Sequence, residues 1–487
     1  MRTFSNILYV ACGLSITLLI GSCSVNPVTG KNDLVLMSES QEIQSGQQYH
    51  QQIINQYGIY NNPVLQRYVN RVGQELAAQS HRATLAFHFT VLDSPEINAF
   101  ALPGGYVYIT RGIMAYLNSE AELAGVLGHE IGHVTARHGV RQQTTNAATS
   151  VFAQIVSAKT NAAWASDVTQ LLGGALVSGY GREHELEADR LGAEYIARTG
   201  YDPQNMLNVI SLLKNQETYQ QQRARAEGKP AQSYHGLFST HPANDQRLQT
   251  VIAAAKQFQK PGQNRDINRD AYLKAIDGLN FGDDAASGAV RNNIFYHTGL
   301  NIGFKLPAQW PYQNTAEYFI VAAPDKKAIL QLSVSTSSQT PEQFLRAQIK
   351  DAPIIAQRSL SINNLSAHEI RTQSATEQGV RPIHLTVIRK NQQLFLFAIS
   401  AANDAALQTY QAQLKNTVAD FHTLNDAERK SAQSYKVVLE KANANTSYAA
   451  LAKKSLLKED AVTQLRLING DYPNGEITTA RFIKLIK

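Results

Sequence analysis

Residues 129–138 read HEIGHVTARH. Three histidines and a glutamate stand here among small and apolar residues, and imidazole and carboxylate are the groups that bind a transition metal and move protons. On a helix, His129 and His133 lie one turn apart on one face, so both rings can reach a single tetrahedral ion. Glu130 is adjacent in sequence and lies beside such an ion rather than on it. There it can take a proton from a water bound to the metal, the arrangement written H-E-x-x-H. The helix is signalled upstream, because Ser119-Glu120-Ala121-Glu122 is a Ser-x-x-Glu capping box. Gly125, Gly128 and Gly132 are poor helix formers, but they let other backbone come close. His138 continues the same predicted helix, falls off the ligand face and is expected to be structural.

A catalytic zinc takes three protein ligands and leaves one position for water, so the third must come from a second element. The stretch SGYGREHELEADRLGAEYIARTG (178–200) has a helical pattern carrying Glu183, Glu185, Glu187 and Asp189. A run of carboxylates is often only a solvated face. Here Glu185 and Asp189 share a face, so one can ligate while the other accepts from a ligand imidazole N–H. Glu185 is the expected third ligand, with Glu187 or Glu183 as alternatives, and Asp189 is the expected imidazole partner. His184 and His235 are expected to be non-ligands.

The elements that must position these residues read as α+β. Residues 39–256 are mainly helical, interrupted by two alternating stretches, FHFTVL and GYVYIT, that predict strands around a Pro-Gly-Gly turn. YVYIT (106–110) is the expected edge strand for pairing with an extended substrate. Residues 257–290 are polar and read as a linker. Residues 291–424 alternate strand-like and helical runs and predict a separate α+β domain. Its His368 and His384 have no metal-ligand spacing. Residues 425–487 form a small C-terminal module.

The N-terminus carries one arginine, then an uncharged apolar run, then small residues, the order of a secretory signal over residues 1–22. Ile20-Gly21-Ser22-Cys23 resembles the bacterial lipobox, which implies a lipid on Cys23, and Ser24 after it resembles the Gram-negative signal for outer-membrane sorting. Residues 23–38 read as a tether. The two cysteines are Cys12 and Cys23, so a mature chain starting at Cys23 has no partner for a disulfide. No later stretch is long and apolar enough to span a bilayer, the best being the short, glycine-rich 171–181. The net charge is +6 with dispersed basic residues, which argues against nucleic-acid binding.

Taken together, HEIGHVTARH and GREHELEADRLG resemble the gluzincin metallopeptidases of the HtpX and CAAX prenyl-protease superfamily. NAFALPGGYVYITRGIM is similar to the strand–turn–helix ahead of that family's zinc helix. The leader NPVTGKNDLVLMSESQEIQSGQQ resembles its bacterial lipoprotein branch. The resemblance covers about residues 25–255. It implies a mainly helical zincin catalytic domain with a small sheet, one Zn2+ held by His129, His133 and Glu185, and Glu130 as general base. FSTHPANDQRLQTV (238–251) resembles the family's Thr-His-Pro segment. That makes His241 a candidate fourth ligand or oxyanion stabiliser, and Arg247 a candidate site arginine that donates to the oxyanion or pairs with a carboxylate. The C-terminal module loosely resembles a LysM module, which would imply contact with peptidoglycan. The expected protein is a zinc endopeptidase that removes misfolded envelope proteins. It would sit in the periplasm of a Gram-negative cell, anchored to the outer membrane through Cys23. The competing expectations are a largely latent metallopeptidase acting as chaperone or assembly factor, and a peptidoglycan-binding lipoprotein.

Overall fold

The computed structural model describes residues 23–35, 37–142, 180–226, 245–258, 265–349, 352–376 and 379–487. The predicted signal segment, His235 and His241 lie outside the described residues. Cys23–Val25 (β1) pairs with Asn32–Leu34 (β2). Helix Glu39–Tyr57 (α1) opens on a capping box between Ser38 and Gln41. Helix Pro63–Ala77 (α2) follows, with Asn62 as cap and proline in its first turn, where a missing N–H costs nothing. Leu65, Val69, Val72 and Leu76 of α2 are fully buried at helical spacing.

Strands His88–Leu92 (β3), Ala99–Leu102 (β4) and Tyr106–Thr110 (β5) form one sheet in the order β3-β5-β4. β5 runs parallel to β3 and antiparallel to β4. The expectation for YVYIT is therefore corrected: Tyr106–Thr110 is the central strand and β4 is an edge. Alternation reports which faces are buried, whereas order across the sheet depends on pairings distant in sequence.

Helices Arg111–Tyr116 (α3), Glu120–Thr135 (α4), Arg182–Arg198 (α5), Asn205–Ala226 (α6), Asp245–Phe258 (α7) and Arg269–Ile276 (α8) complete this half. α4 carries the H-E-x-x-H residues, and Ser119 caps it through Glu122 N–H at 3.1 Å. α4 and α5 are closely packed because glycine faces backbone at both contacts. A Cβ on Gly132 would meet Ala188 O at 2.9 Å, and one on Gly192 would meet His129 N at 2.9 Å.

The start of α4 is fixed by a buried carboxylate. Glu120 accepts from Tyr201 Oη at 2.5 Å, from Asn268 Nδ2 at 2.7 Å and from Arg71. Burial alone would raise this carboxyl, but the hydrogen bonds from Tyr201, Asn268 and Arg71 bring it from 4.5 down to about 2. A group depressed in the folded state stabilises it above the unfolded value and loses that contribution as pH falls through the folded one. Unfolding free energy measured against pH should therefore drop between about pH 5 and pH 2. Glu120→Gln should be less stable near neutrality and flatter across that window. An equally steep acid limb in the variant would show that other carboxyls set it.

Residues 291–424 hold a seven-stranded antiparallel sheet of Tyr312–Asn314, Tyr318–Ala322, Ala328–Thr336, Gln393–Ala401, Gly379–Lys390, Leu365–Thr376 and Ala356–Ile362, in that order. Phe344 and Leu345 of helix Pro341–Ile349 pack with Ile370, Leu385 and Val387. Leu407, Leu414 and Val418 of helix Asp404–Ala419 pack with Phe397 and Ile399 in a second cluster.

The C-terminal residues run strand Tyr435–Ala442, helix Tyr448–Ala452, helix Ala461–Asn469, strand Arg481–Ile486, with the two strands antiparallel. Val437, Leu451, Leu465 and Ile483 share one hydrophobic core with Ile113 of α3 and Leu123 and Leu127 of α4. Asn280–Phe281, within the predicted linker, pairs with Tyr435–Ala442. The join is pinned by Lys484, which is fully buried. Its Nζ donates to Ala115 O at 2.8 Å and Leu117 O at 2.7 Å, the last carbonyls of α3. Lys484→Met leaves both carbonyls unpaired. Leaving buried acceptors unsatisfied costs about 1–3 kcal/mol each. Denaturant unfolding should show that loss; a change under about 1 kcal/mol would mean that water or Arg269 replaces the lysine.

Candidate metal centre

Three buried ligand atoms converge between α4 and α5. His129 Nε2 and His133 Nε2 lie 3.0 Å apart, and each is 3.4 Å from a different oxygen of the Glu185 carboxylate. His129, His133 and Glu185 are the one group of three His, Cys, Asp or Glu residues among the described residues placed to hold a metal ion. With metal–nitrogen distances near 2.1 Å, donors at tetrahedral corners stand roughly 3.4 Å apart. The observed separations match that spacing. Two imidazoles and a carboxylate are also a donor set that zinc takes in catalytic sites. The residues present therefore fit zinc.

Asp189 stands one turn beyond Glu185 on α5, with Oδ1 2.9 Å from His129 Nδ1. Arg247 on α7 holds Asp189 bidentately, Nε and Nη2 each at 2.7 Å, and reaches Glu185 Oε2 with Nη1 at 3.2 Å. Burial would raise the Asp189 carboxyl, but the Arg247 guanidinium and His129 hold it below the usual range. Burial also disfavours charge on both ligand imidazoles. Asp189 and Glu185 outweigh it at His129, which is raised to about 9, while burial wins at His133, which falls well below its ordinary value. Glu130 is buried next to His129, and a recess lined by Val126, Met206, Val209, Ile210 and Leu213 opens beside both.

His129, Glu130, His133, Glu185, Asp189 and Arg247 are thus brought together. Glu187, one of the alternatives to Glu185, points away from the ligand atoms and meets His138 Nε2 at 3.0 Å and Arg141 Nη1 at 2.9 Å. His138 is not among the converging ligands, and the helix expected to continue through it ends before it. α4 ends at Thr135, and Arg137 takes a left-handed conformation with φ 56°. The chain folds back there, so His138 packs against His133 with the two Nδ1 atoms 2.8 Å apart. A second feature had no sequence signal. Glu42 of α1 is buried and accepts from Arg82 Nη1 at 2.8 Å and Arg137 Nε at 2.9 Å, and Arg82 also donates to Val134 O at 3.2 Å. This network ties the first turn of α1 to the end of the motif helix.

The centre thus combines the H-E-x-x-H residues of α4 with a carboxylate from α5 in one group that could hold a metal ion. Residues 63–255 match the peptidase family M48, and that span contains every residue of the centre. It is 31% identical over 246 residues to the beta-barrel assembly-enhancing protease of Escherichia coli K12, covering 49% of this chain and 48% of that protein. It is 30% identical over 259 residues to the protein of that name from Yersinia pestis, covering 51% of each. The mitochondrial metalloendopeptidase OMA1 of Arabidopsis thaliana is 29% identical over 178 residues, 37% of this chain and 33% of that one. The chain spans about half the length of the bacterial relatives it matches. Among the described residues, no helix is long and apolar enough to cross a membrane.

Proposed function

We propose that this chain is a zinc metalloendopeptidase of the gluzincin type that hydrolyses peptide bonds of misfolded cell-envelope proteins. The observation that carries the reading is the convergence of His129 Nε2, His133 Nε2 and the Glu185 carboxylate at 3.0–3.4 Å, with Glu130 next to His129. Zinc bound by these three residues supplies a Lewis acid for the peptide carbonyl and lowers the pKa of water toward neutrality. Glu130 removes the proton of the attacking water and delivers it to the leaving amine nitrogen. Asp189 orients the His129 ring, and Arg247 orients both Asp189 and Glu185.

The edge strand β4 packs on α4 and offers backbone groups to an extended substrate, the part first expected of Tyr106–Thr110. Recognition through backbone is tolerant of sequence, which suits clearance of misfolded proteins. The names of the bacterial relatives support β-barrel proteins of the outer membrane as substrates. Cys23 carries the lipid that holds the protein at the periplasmic face of that membrane. His241, on the Thr-His-Pro segment, enters the proposal as an oxyanion stabiliser; as a fourth ligand it would take the water position and hold the centre latent.

The test uses the purified full-length chain with casein and with an unfolded β-barrel protein. Cleavage of both should stop on chelation and return with zinc. A zinc-loaded chain that cleaves neither, but prevents their aggregation, would replace the peptidase reading with the chaperone reading.

A further inference from the structure

A ligand imidazole has a second ring nitrogen, and the partner of that nitrogen decides which one keeps the lone pair a metal needs. Asp189 plays this part for His129. For His133 the partner is another histidine. His133 Nδ1 lies 2.8 Å from His138 Nδ1, and His138 Nε2 lies 3.0 Å from Glu187 Oε2. Arg141 Nη1 holds the same oxygen at 2.9 Å. A carboxylate beside a guanidinium can only accept, so His138 Nε2 donates to Glu187. The neutral ring then has its lone pair on Nδ1, and His133 Nδ1–H donates to it. His133 is left with its Nε2 lone pair, on the side where His129 Nε2 and the Glu185 carboxylate converge. With the His133 proton on Nε2 instead, two lone pairs would face one another at the observed 2.8 Å.

Both rings are also held flat from outside. Tyr180 stacks on His133 at 4.0 Å and 16°, and His184 stacks on His138 at 4.3 Å and 19°. His138 is fully buried. Tyr180, His184 and Glu187 all come from the start of α5 or the residues just before it, the same stretch that delivers Glu185.

We propose that His138 and Glu187 are positioning residues, forming a Glu187–His138–His133 chain that fixes the ring and tautomer of one zinc ligand. α5 thereby supplies both an anionic ligand and the support for a histidine on α4. The inference rests on the zinc reading of the centre. Its test measures zinc affinity by competition with a chromophoric chelator, together with the melting temperature of the zinc-stripped full chain. His138→Leu and Glu187→Ala should each bind zinc about 10–100-fold more weakly than wild type, while melting close to it when stripped. His138→Gln, whose Oε1 can accept from His133 Nδ1–H, should recover most of the affinity. Unchanged affinity in His138→Leu overturns the proposal, as does equal loss in the Leu and Gln variants, which would mean a purely steric role. Should His138→Leu fail to fold, Glu187→Ala decides, because Glu187 lies at the partly exposed rim. A wild type that binds no zinc overturns the zinc reading itself; a wild type that binds zinc and variants that bind it equally overturn only the positioning chain.

Discussion

Glu130→Gln should keep one zinc per chain and the wild-type melting temperature while hydrolysing peptide bonds about 10²–10⁴-fold more slowly. The expectation follows from where Glu130 sits. It is buried on α4 beside His129, and it is not one of the three residues whose donor atoms converge. Glutamine has the same size and keeps an oxygen acceptor, so packing and the ligand cage survive. What is lost is the ability to take a proton from water and return it to the leaving amine. Metal content and casein cleavage measured on the same sample separate the outcomes. A variant that cleaves at the wild-type rate would remove Glu130 from the chemistry. A variant that has lost zinc would place Glu130 in the cage instead.

Glu185→Gln is expected to have a comparably large effect by a different route. The carboxylate is 1% exposed and supplies the anionic donor between two imidazoles. An amide is a poorer metal ligand, and it also leaves Arg247 Nη1 without its charged partner. Loss of a direct ligand should exceed the roughly 100-fold at which losses of supporting residues stop. The variant should therefore purify with little zinc and show no cleavage. Because Glu183 and Glu187 remain intact, the same experiment decides among the three carboxylates that the sequence offered. Retention of tight zinc in Glu185→Gln would move the third ligand to another residue.

How much of this was legible depends on how local each feature is. His129 and His133 are read from a helical repeat, and Glu185 from the need for a third donor and its spacing to Asp189, both within one helix. The pairing of Arg247 with Asp189 bridges 58 residues and was open until α5 and α7 met. The order of the small sheet was misread because β3 and β5 are parallel partners separated by β4, and alternation within each strand is the same in either order. The helix reads as continuing through His138 because Arg137 is a residue type that gives no warning of a left-handed turn. Glu42 looks like an ordinary acidic residue in a first helical turn, and only the arrival of Arg82 and Arg137 makes it a buried anchor. Lys484 is similar: apolar spacing shows that Arg481–Ile486 is buried, but not that it is buried against α3 and α4.

The most direct measurement is anomalous scattering from crystals of the zinc-loaded chain on either side of the zinc absorption edge. The account predicts one strong peak per chain, at about 2.0–2.2 Å from His129 Nε2, His133 Nε2 and a Glu185 oxygen. A peak held by other residues, or no peak in fully loaded crystals, would contradict it.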